Sequence, residues 1–146
     1  MPSTDPNCIF CKIVRREAPA SIVAEDAVTV AFLDIRPMAP GHTLVIPKLH
    51  ATYLEDLPDS SDGPILKTAR RVASALRRSG LRCDAVNLWL ADGKDAGQQV
   101  FHVHMHVIPR FHGDGLGIRV GPDYGRTSTR EELEAVAAKI RGAVSQ

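Results

Sequence analysis

Residues 102–108 read His-Val-His-Met-His-Val-Ile, with three histidines at a strict spacing of two. Alternating β-branched residues predict a strand, which we place over residues 98–109. Alternate side chains of a strand point to one face, so His102, His104 and His106 are predicted to line one surface, about 6.5–7 Å apart. A sheet does not need three histidines for packing. The pattern therefore indicates chemistry on a phosphate or a metal.

The composition narrows the class of protein. The chain has 146 residues, 44% hydrophobic and 24% charged, as expected for one globular domain with a substantial core. Its net charge of +1 predicts no attraction to nucleic acid or anionic membranes. We expect a cytoplasmic protein, because no apolar run approaches about 20 residues and the first residues lack a signal-peptide pattern. Three cysteines fit no paired disulfide framework.

Short strands and separate helices are predicted around the histidine stretch. A hairpin with a glycine-bearing turn at 92–97 joins it to a strand at 84–91. Further strands are predicted at 21–25, 28–34 and 42–47, and helices at 8–16, from Asp62 as N-cap to about Ser79, and from Ser128 or Thr129 onward. Residues 1–7 are predicted to be a flexible lead and 111–128 an irregular segment. These elements predict an α+β fold with an antiparallel sheet, in a single domain spanning residues 1–146.

The two longer helices carry periodic apolar residues, and we expect each to bury one face. In the first helix the predicted buried residues are Leu66, Ala69, Val72, Ala73 and Leu76. In the last helix they are Leu133, Val136, Ala137, Ile140 and Val144. Thr129 and Glu132 have the spacing of a capping box at the start of that last helix.

Three interpretations of the histidine stretch are open. A neutral imidazole attacks phosphorus well near pH 7 and would form a covalent intermediate, with neighbouring imidazoles donating hydrogen bonds to the phosphate or protonating the leaving group. Alternatively, His102, His104 and His106 bind a metal at an active centre. The third interpretation is three buried, hydrogen-bonded histidines. Amide donors at Gly97, Gln98 and Gln99 favour phosphate, and His42 could orient a histidine of the stretch from a neighbouring strand.

A second cluster begins at Cys8-Ile-Phe-Cys11. A C-x-x-C pair is typical of zinc or of redox sites, and no βαβ pattern surrounds it to favour redox chemistry. A structural zinc site needs four nitrogen or sulfur ligands, and His50 is the obvious third. The alternative is two buried free thiols.

The sequence resembles the histidine triad family, in its bacterial Hint-like branch. Residues 102–108 match the family motif, and so do residues 31–37 (Ala-Phe-Leu-Asp-Ile-Arg-Pro), 40–48 (Pro-Gly-His-Thr-Leu-Val-Ile-Pro-Lys) and 96–98 (Ala-Gly-Gln). The match runs in register from Cys8 to Arg110. The resemblance implies a five-stranded antiparallel sheet with two main helices, and a homodimer in which two sheets join.

The resemblance also implies an activity and roles for particular residues. The activity is that of a nucleotidyl hydrolase or transferase acting on the α-phosphate of nucleoside 5′-phosphoramidates or related purine nucleotides. His104 would be the nucleophile, His102 and His106 would flank the phosphate, and His42 would support them. The nucleotide-binding residues would be Asp34 at the ribose, Gln98 and Gln99 at the phosphate, and Ile9, Phe10, Phe32 and Ile35 around the base. Structural zinc would be held by Cys8, Cys11, His50 and His102, and no catalytic cofactor is expected.

Two departures from the family pattern concern the leaving group. Relatives often carry Ser or Thr where this chain has Gln99, and some carry Asn or Gln where it has Ala91. Within the family, a dinucleoside polyphosphate hydrolase is the alternative to a phosphoramidase. Outside enzymes, the alternative is a nucleotide-binding module without turnover.

Overall fold

The computed structural model describes residues 3–144. Contacts divide the chain into two units, Met1–Gly115 and Leu116–Gln146. The first unit contains the sheet, and the second contains a helix preceded by irregular backbone. The predicted lead is described from Ser3, whose carbonyl accepts a hydrogen bond from the His50 N–H at 2.6 Å. Met1 and Pro2 lie outside the described residues.

Five strands form one antiparallel sheet, which confirms the predicted α+β architecture. They are β1 (Ile22–Glu25), β2 (Thr29–Leu33), β3 (Thr43–Pro47), β4 (Ala85–Trp89) and β5 (Met105–Arg110), in the order β1-β2-β3-β5-β4. Strands β4 and β5 pair antiparallel as predicted, but residues 90–104 join them in place of the short turn predicted at 92–97. The order places β3 and β5 side by side in the interior of the sheet, which brings the segment around His42 next to the histidine stretch.

Three helices accompany the sheet: α1 (Ile9–Val14), α2 (Asp62–Arg78) and α3 (Arg130–Ala143). The capping box of α3 forms as predicted, since the Thr129 hydroxyl accepts from the Glu132 N–H and the Glu132 carboxylate accepts from the Thr129 N–H. The N-cap of α2 is Ser61, one residue before the predicted Asp62. Over residues 3–144, no helix combines the length and the apolar character that crossing a membrane would require.

The two faces of the sheet have separate cores. Helix α2 packs on one face against Ala31, Val45 and Val107. On the other face, Phe10 and Ile13 of α1 pack against β2 and β3. His106 is opposite Leu44 of β3, a residue of this second core, so the histidine stretch lies on the α1 side of the sheet.

The histidine strand is shorter than predicted. Strand β5 begins at Met105, and its ladder with β3 ends at the pair Val45 and Met105, so His102 and His104 precede the strand. The prediction of one strand over residues 98–109 was therefore wrong at its start. The physical reason lies in β3, whose last residue, Pro47, has no N–H to continue a ladder. Its carbonyl accepts instead from the His102 ring at 2.9 Å.

Helix burial also differs from the prediction. In α2, Leu66 is 56% exposed, and Ile65 and Thr68 take part in the buried face instead. In α3, as far as the structure describes it, none of the apolar residues that were predicted to be buried is buried. Periodicity shows which side chains share a helix face, but it does not show whether anything covers that face.

Gly41 fixes the turn that carries His42. Its φ is +99°, and a Cβ there would lie 2.8 Å from Leu76 Cδ2 and 3.1 Å from Leu81 Cδ1. Only glycine accommodates both the left-handed backbone and this close approach to the end of α2.

We expect Gly41→Ala to lower the free energy of unfolding by about 1–3 kcal/mol, because a side chain here strains the backbone and displaces Leu76. Gly63→Ala is the matched control, since nothing lies within 4 Å of its position in α2. The control should be neutral or stabilising by up to about 1 kcal/mol. Urea unfolding measures both variants, and equal stability of Gly41→Ala and wild type would contradict the assignment.

Candidate active site and metal centre

The histidine stretch divides between two sites. His102 turns toward Cys8, Cys11 and His50, whereas His104 and His106 lie beside one another, with ring centroids 5.0 Å apart. The three side chains therefore do not converge on a single point, because His102 and His104 are not held in the strand.

The first site brings together all four predicted zinc ligands. One ligand atom each of Cys8, Cys11, His50 and His102 lies within 4.8 Å of the others. The His102 Nδ1 is 3.5 Å from Cys8 Sγ and 3.6 Å from Cys11 Sγ, and the His50 Nδ1 is 3.4 Å from Cys11 Sγ. Three separate segments thus meet: the start of α1, the residues after β3, and the approach to β5.

These distances fit zinc. A tetrahedron with Zn–S bonds of about 2.3 Å and Zn–N bonds of about 2.0–2.1 Å has ligand-to-ligand edges of roughly 3.3–3.8 Å. The His102 Nε2–H donates to the Pro47 carbonyl, which leaves the Nδ1 lone pair facing the sulfurs. A metal-binding histidine usually donates its other N–H to a carbonyl in this way. Burial raises the pKa of the Cys11 thiol, which favours its protonated form in the absence of a metal.

We expect Cys8→Ser to lower the zinc content and the thermal stability together, because assembly of a metal site is coupled to folding. The loss of a thiolate ligand should weaken zinc binding roughly 10- to 100-fold or more. Cys83→Ser is the matched control, since Cys83 is free and lies outside the cluster. Elemental analysis and calorimetry measure both quantities. A purified wild-type protein without stoichiometric zinc would contradict the assignment.

In the second site, the tautomer and orientation of His104 are defined by its contacts. His104 Nδ1 lies 2.7 Å from the main-chain carbonyl of His102. A carbonyl only accepts, so Nδ1 carries the proton and Nε2 keeps a lone pair. His104 is 7% exposed, and the edge of Phe10 packs against its ring at a centroid distance of 5.2 Å. The imidazole is thus fixed in the tautomer and orientation that a nucleophile requires.

A chain of hydrogen bonds fixes the His106 tautomer as well. The Met38 N–H donates to His42 Nδ1, so the neutral His42 ring carries its proton on Nε2. That N–H donates to His106 Nδ1 at 2.9 Å. His106 therefore carries its own proton on Nε2 and presents a hydrogen-bond donor beside the lone pair of His104.

These histidines are neutral at physiological pH. Burial, reinforced by the neighbouring rings of His104 and His42, lowers the pKa of His106 to about 4. Burial likewise lowers the pKa of His104 and of His42, although the charge of Asp34 opposes both shifts. A neutral His104 is the form that can attack phosphorus.

The predicted nucleotide-binding residues divide into buried and exposed groups. Phe10 and Phe32 are buried and pack edge to face at 5.4 Å. Ile9 and Ile35 are exposed, Ile35 by 89%. Asp34 is half-buried, with one carboxylate oxygen accepting from the Arg36 N–H and the other 3.7 Å from His42 Nε2.

The two glutamines have different positions. Gln98 is buried, its Oε1 accepts from the Gly93 N–H, and its Nε2 donates to the carbonyls of Thr52 and Val100. Its amide thus braces the loop before the histidines. Gln99 is exposed.

Three functional contacts come from the main chain and were missed by sequence reasoning. They are the Pro47 carbonyl, the Met38 N–H and the His102 carbonyl. Every non-proline residue has the same backbone donor and acceptor, so no residue type marks these positions in a sequence.

The geometry does not support the alternative of a catalytic metal. Asp34, His42 and His106 also bring one ligand atom each within 4.8 Å of one another. However, the His42 and His106 nitrogens that face each other already share a hydrogen bond. His102 belongs to the cysteine cluster, so His102, His104 and His106 do not converge on one ion.

The family of the chain follows from comparison with known proteins. The family model of the HIT domain matches residues 15–113. A HIT-like protein from Borreliella burgdorferi is 46% identical over 116 residues, covering 79% of this chain and 84% of the relative. The adenosine 5′-monophosphoramidase hnt1 of Schizosaccharomyces pombe is 39% identical over 135 residues, covering 92% of this chain and 96% of that protein. The chain belongs to the histidine triad (HIT) family.

Solved structures agree with the fold, and one of them contains zinc. A HIT family protein from Bacillus anthracis has a TM-score of 0.86 and 37% identity, covering 97% of this chain and 100% of that one. A zinc-bound histidine triad family protein from Mycobacterium smegmatis has a TM-score of 0.74 and 43% identity, covering 94% of this chain and 98% of that one.

Proposed function

We propose that this chain is a nucleotidyl hydrolase or transferase that uses His104 as a covalent nucleophile on the α-phosphate of purine nucleoside 5′-phosphoramidates or related nucleotides. The observation that carries the proposal is the 2.7 Å hydrogen bond from His104 Nδ1 to the His102 carbonyl. It leaves the Nε2 lone pair as the reactive atom in a site where the neighbouring imidazoles are neutral.

The proposed attack proceeds in two steps. The His104 Nε2 lone pair forms a bond to phosphorus while the bond to the leaving amine breaks. The amine takes a proton from solvent water as it departs, and the attack of water in the second step returns one proton to solvent. The ring then carries a positive charge, which the His102 carbonyl stabilises because it accepts from Nδ1–H. Water attacks the adduct in the second step, releasing the nucleoside monophosphate and restoring the neutral imidazole.

His106 and His42 would stabilise the charge on phosphate. The Nε2–H of His106 donates to a non-bridging or leaving-group oxygen or nitrogen, and His42 keeps His106 in this tautomer through their 2.9 Å hydrogen bond. A donor oriented before the substrate arrives costs no reorganisation during the reaction.

The nucleotide would lie on the α1 side of the sheet. Ile9, Phe10, Phe32 and Ile35 would contact the base, Asp34 would accept from the ribose hydroxyls, and Gln99 would lie near the phosphate. The amide of the buried Gln98 is already hydrogen-bonded, so Gln98 would brace the loop and not bind phosphate directly. The relative named as an adenosine 5′-monophosphoramidase supports a purine phosphoramidate ahead of a dinucleoside polyphosphate. Zinc on Cys8, Cys11, His50 and His102 would be structural, and the proposed chemistry uses side chains alone.

The test is intact-protein mass spectrometry after brief mixing with adenosine 5′-phosphoramidate, with AMP measured in parallel. Wild type should form a transient adenylyl adduct, and His104→Ala should lose the adduct and slow AMP release by roughly a thousandfold or more. His112→Ala is the matched control, because His112 is exposed and outside the site. AMP release that survives in His104→Ala would contradict the nucleophile. Nucleotide binding by wild type without adduct or AMP would indicate a binding module instead.

We also propose that the chain forms a homodimer through strand β4. This strand is an edge of the sheet, and its Leu88 and Trp89 are each 43% exposed. Leu66 of α2 is exposed beside it, and both Leu66 and Leu88 line one surface groove. An unpaired edge next to apolar side chains favours pairing with a second sheet.

A charge on this edge should oppose association. We expect Leu88→Lys to shift the mass measured by light scattering from dimer toward monomer, because the lysine would be desolvated at the interface. Leu133→Lys, on α3, is the control and should leave the mass per particle unchanged. A monomeric wild type, or a Leu88→Lys variant that stays dimeric, would contradict this interface.

A further inference from the structure

We propose that His102 is a positioning residue that couples the metal centre to the tautomer of the nucleophile. The proposal rests on the function proposed above for His104. Through His102, the metal would affect the imidazole of His104 in addition to any effect on the stability of the protein.

His102 contacts both sites through different atoms. Its ring directs Nδ1 at the sulfurs of Cys8 and Cys11, at 3.5 and 3.6 Å, and its Nε2–H donates to the Pro47 carbonyl. Its main-chain carbonyl accepts from His104 Nδ1–H. The ring that would bind the metal and the carbonyl that orients the nucleophile therefore belong to the same fully buried residue.

The sheet does not hold this carbonyl in place. The ladder between β3 and β5 ends at Met105, two residues after Val103. Before that point the chain is anchored by the His102 ring on Pro47 and by the Val103 N–H, which donates to the Ala51 carbonyl at 2.8 Å. Both anchors belong to the segment that carries the ligand His50. The segment that carries His50 thus restrains the backbone at His102 where strand pairing does not, and a metal bound by His50 and His102 would tie the two together.

Removing the metal allows the His102 ring to change its tautomer and its hydrogen bonds. Without a metal on Nδ1, this nitrogen can take the proton and donate to a cysteine sulfur, and Nε2 then gives up its donation to Pro47. The carbonyl of His102 is then less fixed, and the proton of His104 is free to move to Nε2. The tautomer of an imidazole is set by the hydrogen bond of its other nitrogen. If His104 is protonated on Nε2, its lone pair lies on Nδ1, and Nε2 cannot attack phosphorus.

The experiment is nitrogen NMR of protein labelled with ¹⁵N-histidine, in the zinc-loaded and the chelator-treated forms of the full chain. The His104 signals are assigned by their absence from His104→Ala. Zinc-loaded wild type should show a protonated Nδ1 and a bare Nε2 at His104. Chelation should produce exchange between tautomers while the amide signals of the sheet persist. The variant His50→Gln weakens the metal site without changing His102. In its zinc-loaded form, the His104 nitrogen signals should shift in the same direction as in the chelated wild type.

Kinetics under the same conditions separate this proposal from the proposed function. Chelation should slow the single-turnover adenylylation step roughly 10- to 100-fold and leave AMP affinity unchanged. Cys83→Ser should behave as wild type, since Cys83 lies outside the cluster. A metal-dependent His104 tautomer without any adduct would contradict the function and support the coupling.

Two results would overturn the coupling. The first is a folded metal-free protein whose His104 keeps its proton on Nδ1. The second is loss of the sheet signals in both the chelated protein and His50→Gln, since the metal would then act through the whole fold and not through His102.

Discussion

The hydrogen bond from His104 Nδ1 to the carbonyl of His102 is the interaction on which the proposed chemistry depends. The two partners are only two residues apart in sequence, yet a regular strand would not allow this hydrogen bond. In a strand, the main-chain carbonyls point sideways toward the neighbouring strands and away from the side chains. The chain leaves the sheet at this point, and the rest of the site is arranged to hold it there. The cysteine cluster, the Pro47 carbonyl and the buried Gln98 all restrain the backbone before β5.

In both histidine sites, hydrogen bonds to the main chain fix the tautomers of the rings, with a different result in each site. In each, a backbone group fixes the proton on one ring nitrogen and so defines what the other nitrogen can do. For His102 the result is a lone pair facing two sulfurs, and for His104 a lone pair available for attack. For His42 and His106 the result is a donor, relayed from the Met38 N–H. Burial keeps the rings neutral, so the tautomers are well defined.

The sequence pattern predicted most of the architecture, and the family resemblance added His102 to the cluster of Cys8, Cys11 and His50. Alternation predicted the five strands and the antiparallel pairing of β4 with β5, although not the long connection over residues 90–104. The spacing of Thr129 and Glu132 predicted the cap of α3. Cys8, Cys11, His50 and His102 meet as expected. The errors came where tertiary contacts override local pattern. The strand over residues 98–109 starts late because Pro47 ends the ladder and the His102 ring takes its carbonyl. Leu66 is exposed because periodicity does not reveal which elements cover a helix face.

The sequence by itself determined which residue types are available and at what spacing: three histidines two apart, a C-x-x-C pair, and a glycine before His42. It therefore indicated the class of chemistry. Three closely spaced imidazoles are typical of a nucleophilic site, and a C-x-x-C pair with histidines is typical of a zinc site. The tertiary structure decided which histidine serves which site and which nitrogen of each ring carries the proton. That assignment depends on backbone carbonyls and N–H groups, which every segment possesses and only the folded chain places.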